Sequence, residues 1–253
     1  MAETLQDAPA PPDSGLAALK RMALVPAYNE EGSIGAVVEE LRAVDRDMEV
    51  VVVDDGSRDR TAEAAAAKGA RVLRLPFNVG IGGAVQTGYR YAYEHGFDLA
   101  LRVDGDGQHD PSQFDLLARP VLAGHADIAV GSRFIGRKGY RSSRSRRQAI
   151  RVLAWTVTLL VGGRVTEPTS GFQVTNRRAI ALFAAYYPHD YPEVEATVLA
   201  AKAGLRRAEV PVEMRERSAG RSSIGAVRSV YYMVKVMLAV FVAAFRSPPE
   251  MPA

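Results

Sequence analysis

The chain contains no cysteine. That excludes a disulfide framework, a thiolate zinc site and a thiol nucleophile, and it fits a reducing compartment. Histidine is scarce, four in 253 residues. Neither His109 nor His189 has a partner at the spacing of a metal-binding triad, so both read as ordinary polar residues. A strong excess of one charge is also lacking. The 32 Lys and Arg against 29 Asp and Glu leave a formal net charge of +3, so the total points to no polyanionic partner. Residues 1–19 have neither the basic start nor the long apolar core of a secretory signal. Pro9, Pro11 and Pro12 mark this stretch as an expected disordered tail.

What is present is the makeup of an ordinary globular protein, 47% hydrophobic and 24% charged, with room for one α/β domain. Short apolar runs alternate with helical patterns, which predicts βαβ units and a mainly parallel sheet flanked by helices. Strands are expected at 22–28, 49–57, 70–76, 98–104, 126–133 and near 207–212. Helices are expected at 33–44 with Ser33 as N-cap, at 59–69 stopped by Gly69, and around 82–95 and 111–123. Further on come an apolar helix over 148–162, a turn at 169–175, two short helices and a long apolar helix over 224–246.

Acidic residues close two of these strands. Asp54 and Asp55 end one, Asp104 and Asp106 another, and in a parallel sheet ligands bind beyond the carboxyl ends of the strands. The first pair reads either as a turn whose Asp caps the next helix or as part of a site. For "DGDGQ" the choice lies between a Gly-rich turn with solvated acids and a carboxylate pair facing one hard cation, with Gln108 adding a neutral oxygen. Mg²⁺ or Mn²⁺ held by one or two carboxylates keeps positions for substrate phosphates. "GIGGA" (80–84) is not a dinucleotide fingerprint and reads as a helix start that allows close backbone approach.

Positive charge is concentrated further along. Arg133, Arg137, Lys138, Arg141, Arg144, Arg146, Arg147 and Arg151 lie in one stretch, with no acid between Asp127 and Glu167. Aromatic residues for stacking bases are sparse there, which argues against nucleic acid. The apolar helix that follows contains the only tryptophan, Trp155. Its apolar run is shorter than the about twenty residues a membrane span needs. A basic segment feeding such a helix suits an element lying at a membrane surface. The C-terminal helix repeats the theme, with Arg228, Lys235 and Arg246 on one stripe of an otherwise apolar surface; packing on the core and cover by a small membrane protein are the other readings.

The segments "VPAYNEEGSIGAVVEEL", "VVVDDGSRDRT", "NVGIGGAVQTGY", "RVDGDGQHDP", "GSRF" and "TSGFQ", in this order, resemble family-2 glycosyltransferases of the GT-A fold. The likeness is strongest to the branch that moves a sugar onto polyprenyl or dolichyl phosphate, and it covers residues 20–225, with 226–253 as an appended apolar helix and tail. It implies an inverting transfer from a GDP- or UDP-linked sugar, with Asp104 and Asp106 on the metal and diphosphate and Gln108 beside them. It further implies that Pro26, Tyr28, Glu30 and Asp55, with Asp54, hold the base and ribose, and that Asn78 and Gly80 form the adjoining loop. Arg133 and Arg147 match acceptor-phosphate groups. In "RERSAGRSS" Arg217 matches a loop closing over the diphosphate, and Arg221 is assigned the charge of a lysine that Ser223 replaces. Glu193 and Glu195 lie where saccharide-transferring relatives carry a catalytic carboxylate; they are expected to act as a base, to touch the sugar, or merely to stabilise a helix N-terminus. The expected setting is cytoplasmic, peripherally bound to a membrane. A saccharide hydroxyl as acceptor and a non-catalytic nucleotide-binding scaffold remain the alternatives.

Overall fold

The computed structural model describes residues 16, 18–135, 144–215, 226–245 and 251, with the backbone alone at 144–147, 149 and 226–234. Strand β1 (Arg21–Ala27) is followed by helix α1 (Ile34–Val44), β2 (Glu49–Asp54), α2 (Thr61–Ala67), β3 (Arg71–Arg74), α3 (Ile81–Glu94) and β4 (Leu99–Arg102). Then come a 3₁₀ turn at Pro111–Gln113, α4 (Phe114–Leu122), β5 (Ile128–Ser132), α5 (Arg144–Val161), β6 (Gln173–Asn176), α6 (Arg177–Ala185), α7 (Pro192–Lys202), β7 (Arg207–Pro211) and α8 (Ala226–Phe245).

The strands form one sheet in the order β3-β2-β1-β4-β6-β5-β7. Pairing is parallel except where β6 runs antiparallel to both β4 and β5. Central strands show why the apolar runs are continuous rather than alternating: both faces are covered. In β1, Ala23, Val25 and Ala27 face a core with Ile34, Val38 and Leu41 of α1 and Phe114 and Leu117 of α4. Met22 and Leu24 face the opposite core, built with Ala84, Val85 and Tyr89 of α3 and Ile180 and Phe183 of α6. Leu16 and Leu19, at the end of the expected tail, pack against the first core.

Two expectations need correction. The segment placed in a turn at 169–175 ends in strand β6, wedged between β4 and β5. Ser33 occupies the N-cap position of α1 but makes no side-chain cap. Its hydroxyl donates instead to the Gly105 carbonyl (2.8 Å) and to Glu30 Oε2 (2.9 Å), which ties the start of α1 to the acidic loop after β4.

Helices α5, α7 and α8 share a third core through Leu153, Val157, Val194, Val198, Val236 and Val240. One stripe of the C-terminal helix, Val236 and Val240, thus packs on the protein. Its other stripe stays exposed at helical spacing: Leu238, Phe241, Val242 and Phe245. Val152, Trp155 and Leu159 form a matching stripe on α5. Among the described residues no helix is long and apolar enough to cross a membrane.

Candidate active site

The carboxyl ends of β1, β2 and β4 and the starts of α3 and α7 enclose a cavity of about 500 Å³. Pro26, Tyr28, Glu30, Asp55, Asn78, Gly80, Asp104 and Asp106, all singled out in the sequence, line it together, joined by Arg102 and Glu193.

On the β2 side Asp55 fixes the wall. Its Oδ1 accepts the Val79 N–H at 2.7 Å and its Oδ2 the Gly80 N–H at 3.0 Å, so one carboxylate clamps the loop leading into α3. Gly56 makes that crossing possible: its φ is +68°, and a Cβ there would lie 2.7 Å from the Phe77 carbonyl carbon. Asp54 does not reach the cavity. It is fully buried, with Oδ1 accepting the Ser57 N–H (3.0 Å) and Oδ2 lying 3.3 Å from Arg74 Nε.

On the β4 side the loop Asp104–His109 is internally bonded. Asp106 accepts the backbone N–H of Gln108 at 3.0 Å and also its side-chain amide. Gln108 therefore turns its NH₂ to Asp106 and is not among the cavity-lining residues. The Gln108 carbonyl accepts the Arg215 N–H at 2.8 Å, which sets the chain beyond β7 beside the acidic loop. Arg217 and Arg221 lie outside the described residues, as does the side chain of Arg147.

His109, read from sequence as an ordinary polar residue, is buried against Phe172 with ring centroids 5.0 Å apart. Its Nδ1 accepts the Asp104 N–H at 3.0 Å, leaving Nε2 to carry the proton 3.9 Å from Asp104 Oδ2. Burial pushes the imidazole below its ordinary value against the pull of Asp104 and Asp106, which keeps it neutral.

The residue the sequence did not flag is Arg102, 1% exposed and the last of β4. It donates to Tyr187 Oη at 3.0 Å and to Glu193 Oε1 at 2.6 Å, and its Nη2 lies 3.5 Å from Asp104 Oδ1. Burial works to lower its pKa, but Tyr187, Glu193 and Asp104 together hold it well above the usual arginine value. A charged residue in a strand otherwise reading Leu-Ala-Leu was the available signal. Gly171 was a second omission: a Cβ there would lie 2.9 Å from both Asp104 carboxylate oxygens and 3.1 Å from Arg102 Nη2. Glu193 faces the cavity, whereas Glu195 accepts the Tyr191 N–H at 3.2 Å and serves the start of α7.

Arg133, just past β5, is not in this lining. Glu167, fully buried, takes it bidentately, with Nε to Oε2 at 3.1 Å and Nη2 to Oε1 at 3.0 Å. Glu209 on β7 anchors the loop carrying Glu167 by accepting the Thr166 N–H (2.9 Å) and the Glu167 N–H (3.1 Å).

Among the described residues the lining carries five carboxylates, Glu30, Asp55, Asp104, Asp106 and Glu193, against one guanidinium. Such a cavity repels a diphosphate unless a cation accompanies it. Asp104 and Asp106 present the hard oxygen donors that Mg²⁺ or Mn²⁺ prefers. Among the described residues no group of three or more His, Asp or Glu forms a complete cage, so phosphate oxygens and water would finish the coordination.

Residues 22–182 match the family model described as glycosyl transferase family 2. The chain belongs to that family. An undecaprenyl-phosphate mannosyltransferase of Micrococcus luteus is 31% identical over 219 residues, covering 81% of this chain and 88% of the relative. A UDP-N-acetylglucosamine–dolichyl-phosphate N-acetylglucosaminyltransferase of Methanococcus voltae is 30% identical, covering 75% and 83%. The crystal structure of glucosyl-3-phosphoglycerate synthase from Mycobacterium tuberculosis with Mn²⁺, UDP-glucose and phosphoglyceric acid superposes with a TM-score of 0.67 at 21% identity, covering 94% of this chain and 83% of that one. That likeness shows the fold, the expected GT-A arrangement. In this family-2 chain the clamp on Asp55 and the loop of Asp104 and Asp106 thus border one shared cavity.

Proposed function

We propose that the chain transfers a hexose from a GDP- or UDP-linked sugar to a polyprenyl phosphate at a membrane surface, with Mg²⁺ or Mn²⁺ as cofactor. The observation that carries this reading is the cavity in which a nucleoside-sized wall (Pro26, Tyr28, Asp55, Asn78) adjoins the carboxylates of Asp104 and Asp106. Polyprenyl- and dolichyl-phosphate transferases among the relatives support the acceptor class.

In the reaction an acceptor phosphate oxygen attacks the anomeric carbon from the face opposite the leaving group. The bond from that carbon to the diphosphate oxygen breaks, and its electron pair stays on the nucleoside diphosphate. The acceptor oxygen is already anionic near neutral pH, so no general base is required. A cation held by Asp104 and Asp106 would supply charge neutralisation for the departing diphosphate. Tyr28 and Asn78 bind the nucleoside, with Asp55 holding the loop against it. Arg133, held in place by Glu167, receives the acceptor phosphate together with Arg147; a guanidinium fork suits that anion. Arg217 and Arg221, outside the described residues, are assigned to the donor diphosphate by the family resemblance. Positioning does most of the work.

Trp155, Phe241 and Phe245, exposed by 64%, 57% and 75%, supply an apolar surface that a lipid interface would cover. Glu193 in the cavity is the one feature favouring a saccharide hydroxyl and a general base, but its Oε1 is already taken by Arg102.

The test is incubation with polyprenyl phosphate and a panel of labelled sugar nucleotides, with and without Mn²⁺ or Mg²⁺. Labelled lipid whose sugar is released by mild acid is the expected product. Failure with every donor, or undiminished transfer in chelator, would overturn the reading.

A further inference from the structure

Burying a guanidinium is costly, and a well-packed apolar side chain at the same place is often as stable or more so. Arg102 is nonetheless completely enclosed at the end of an apolar strand, and its Nε has no hydrogen-bond partner. Stability alone does not account for it. What it does hold is a carboxylate. Glu193, brought in by the first turn of α7, gives Oε1 to Arg102 at 2.6 Å, while no described residue donates a hydrogen bond to its Oε2. The carboxylate is 22% exposed and lines the cavity.

Arg102 Nη2 touches two acids at once, Asp104 Oδ1 at 3.5 Å and Glu193 Oε1 at 2.6 Å. The two carboxylates thus flank one nitrogen. A cation on Asp104 and Asp106 cannot take Glu193 Oε1 as a third ligand unless that nitrogen is displaced, and among the described residues no three acids are placed to hold one together. Tyr187 Oη, accepting the other terminal nitrogen at 3.0 Å, fixes the guanidinium from behind. Glu193 is left with Oε2 on a side chain that lines the cavity, and a carboxylate there can only accept hydrogen bonds. The donor groups nearest a diphosphate seated on Asp104 and Asp106 are the hydroxyls of its sugar.

Resting on the donor reading above, we propose that Arg102 is a positioning residue that withholds Glu193 from the cation and presents it to the hydroxyls of the transferred sugar, making Glu193 a determinant of donor-sugar specificity. A site built to pair a hydroxyl rejects an epimer that cannot supply it, because the buried polar group is then unpaired.

The experiment uses the full chain and four variants: Glu193→Gln, Arg102→Lys, Arg102→Met and the double variant Arg102→Met/Glu193→Gln. Two dissociation constants are measured by calorimetry. The first is for Mn²⁺ in the presence of the nucleoside diphosphate. The second is for two sugar nucleotides that share a nucleotide and differ at one hydroxyl, their ratio giving the selectivity. Glu193→Gln is expected to leave Mn²⁺ binding within about threefold and to cut the selectivity about tenfold. Arg102→Met, which frees Glu193 to reach the cation, should lose the same selectivity while tightening Mn²⁺ binding severalfold; Arg102→Lys should recover part of the selectivity. The double variant has no unpaired buried charge and keeps the test open if Arg102→Met does not fold; it should match Glu193→Gln in both measurements.

Selectivity unchanged in Glu193→Gln, or Mn²⁺ binding weakened by more than about tenfold, would overturn the proposal, the latter by making Glu193 a ligand. Selectivity restored in the double variant would also overturn it. Because both measurements omit the acceptor, their failure is distinguishable from that of the parent reading, which falls if the wild-type chain glycosylates no polyprenyl phosphate or transfers undiminished in chelator.

Discussion

Replacing Gly171 by alanine tests whether the Asp104 carboxylate must stand where the structure puts it. The added Cβ would lie 2.9 Å from Asp104 Oδ1 and Oδ2 and 3.1 Å from Arg102 Nη2, whereas ordinary contact begins at 3.4 Å. The carboxylate must therefore withdraw by about 0.5 Å, the difference between 3.4 and 2.9 Å. Arg102 cannot take up the movement, being enclosed by Tyr187 and Glu193. A reacting group misplaced by about 1 Å costs on the order of a hundredfold in rate, so a shift of half that size predicts roughly a tenfold loss of kcat. Stability should change little. The backbone at Gly171 is not left-handed, so the gain of about 0.4–1 kcal/mol through the unfolded chain is set against the close contacts with Asp104 and Arg102. Thermal unfolding, steady-state transfer and a Mn²⁺ titration measured on one preparation separate the effects. The reasoning is refuted by kcat and Mn²⁺ half-saturation both within twofold of wild type, or by a variant that loses activity only because it unfolds.

Asp104→Asn and Asp106→Asn should each lower sugar transfer by about a hundredfold or more; retained metal-dependent turnover would contradict the site. Glu209→Gln should cost about 2–3 kcal/mol, because Arg207 and the amides of Thr166 and Glu167 lose a buried charged acceptor. Burial alone would raise the Glu209 carboxyl, but Arg207 and Thr166 hold it below its ordinary value of 4.5. The unfolded chain then takes up the proton first, so this stabilisation is complete above pH 4.5 and lost as pH falls through the folded value. Denaturant melts of wild type and variant should accordingly converge in acid, and a constant difference down to the lowest pH would be the contrary result. Trp155→Ser combined with Phe241→Ser should release the chain from anionic vesicles in sedimentation assays, since each large side chain is worth about 1.5–3 kcal/mol on burial; unchanged partitioning would mean that something other than lipid covers those stripes.

Where the sequence could be read, a repeating physical signal was present. Strands β1 and β2 announce themselves because both faces are buried and nearly every side chain is apolar. The carboxylates after β2 and β4 were expected on one rim by the rule that ligands bind beyond the carboxyl ends of parallel strands. The failures have a different cause. Strand β6 has four residues, too short to display a period, and its place is set by pairing with residues over 70 positions earlier in β4 and over 40 earlier in β5. Ser33 follows the capping pattern, yet its hydroxyl is drawn to Gly105, 72 residues away. Arg102 and Glu193 are 91 residues apart, Arg133 and Glu167 34 apart, and no local pattern links either pair.

Glu193 and Glu195 show how far local reasoning can go. Two residues apart on a helix, they are separated by about 200° around its axis, so at most one can face any single site. That much follows from spacing. Which of the two it is depends on how α7 sits against β4, and that is decided by Arg102. The guanidinium takes Glu193 into the cavity and leaves Glu195 to the Tyr191 amide at the helix start. A reading of helix α7 by itself gives the two acids equal standing; the buried charge on the neighbouring strand distinguishes them. The same applies to Arg133. Its residue type suits an anion, but its direction is imposed by Glu167, whose loop is in turn held by Glu209 on β7. For Glu193 and Arg133 alike, the residue that sets the side chain's direction lies far off in the sequence, 91 and 34 positions away.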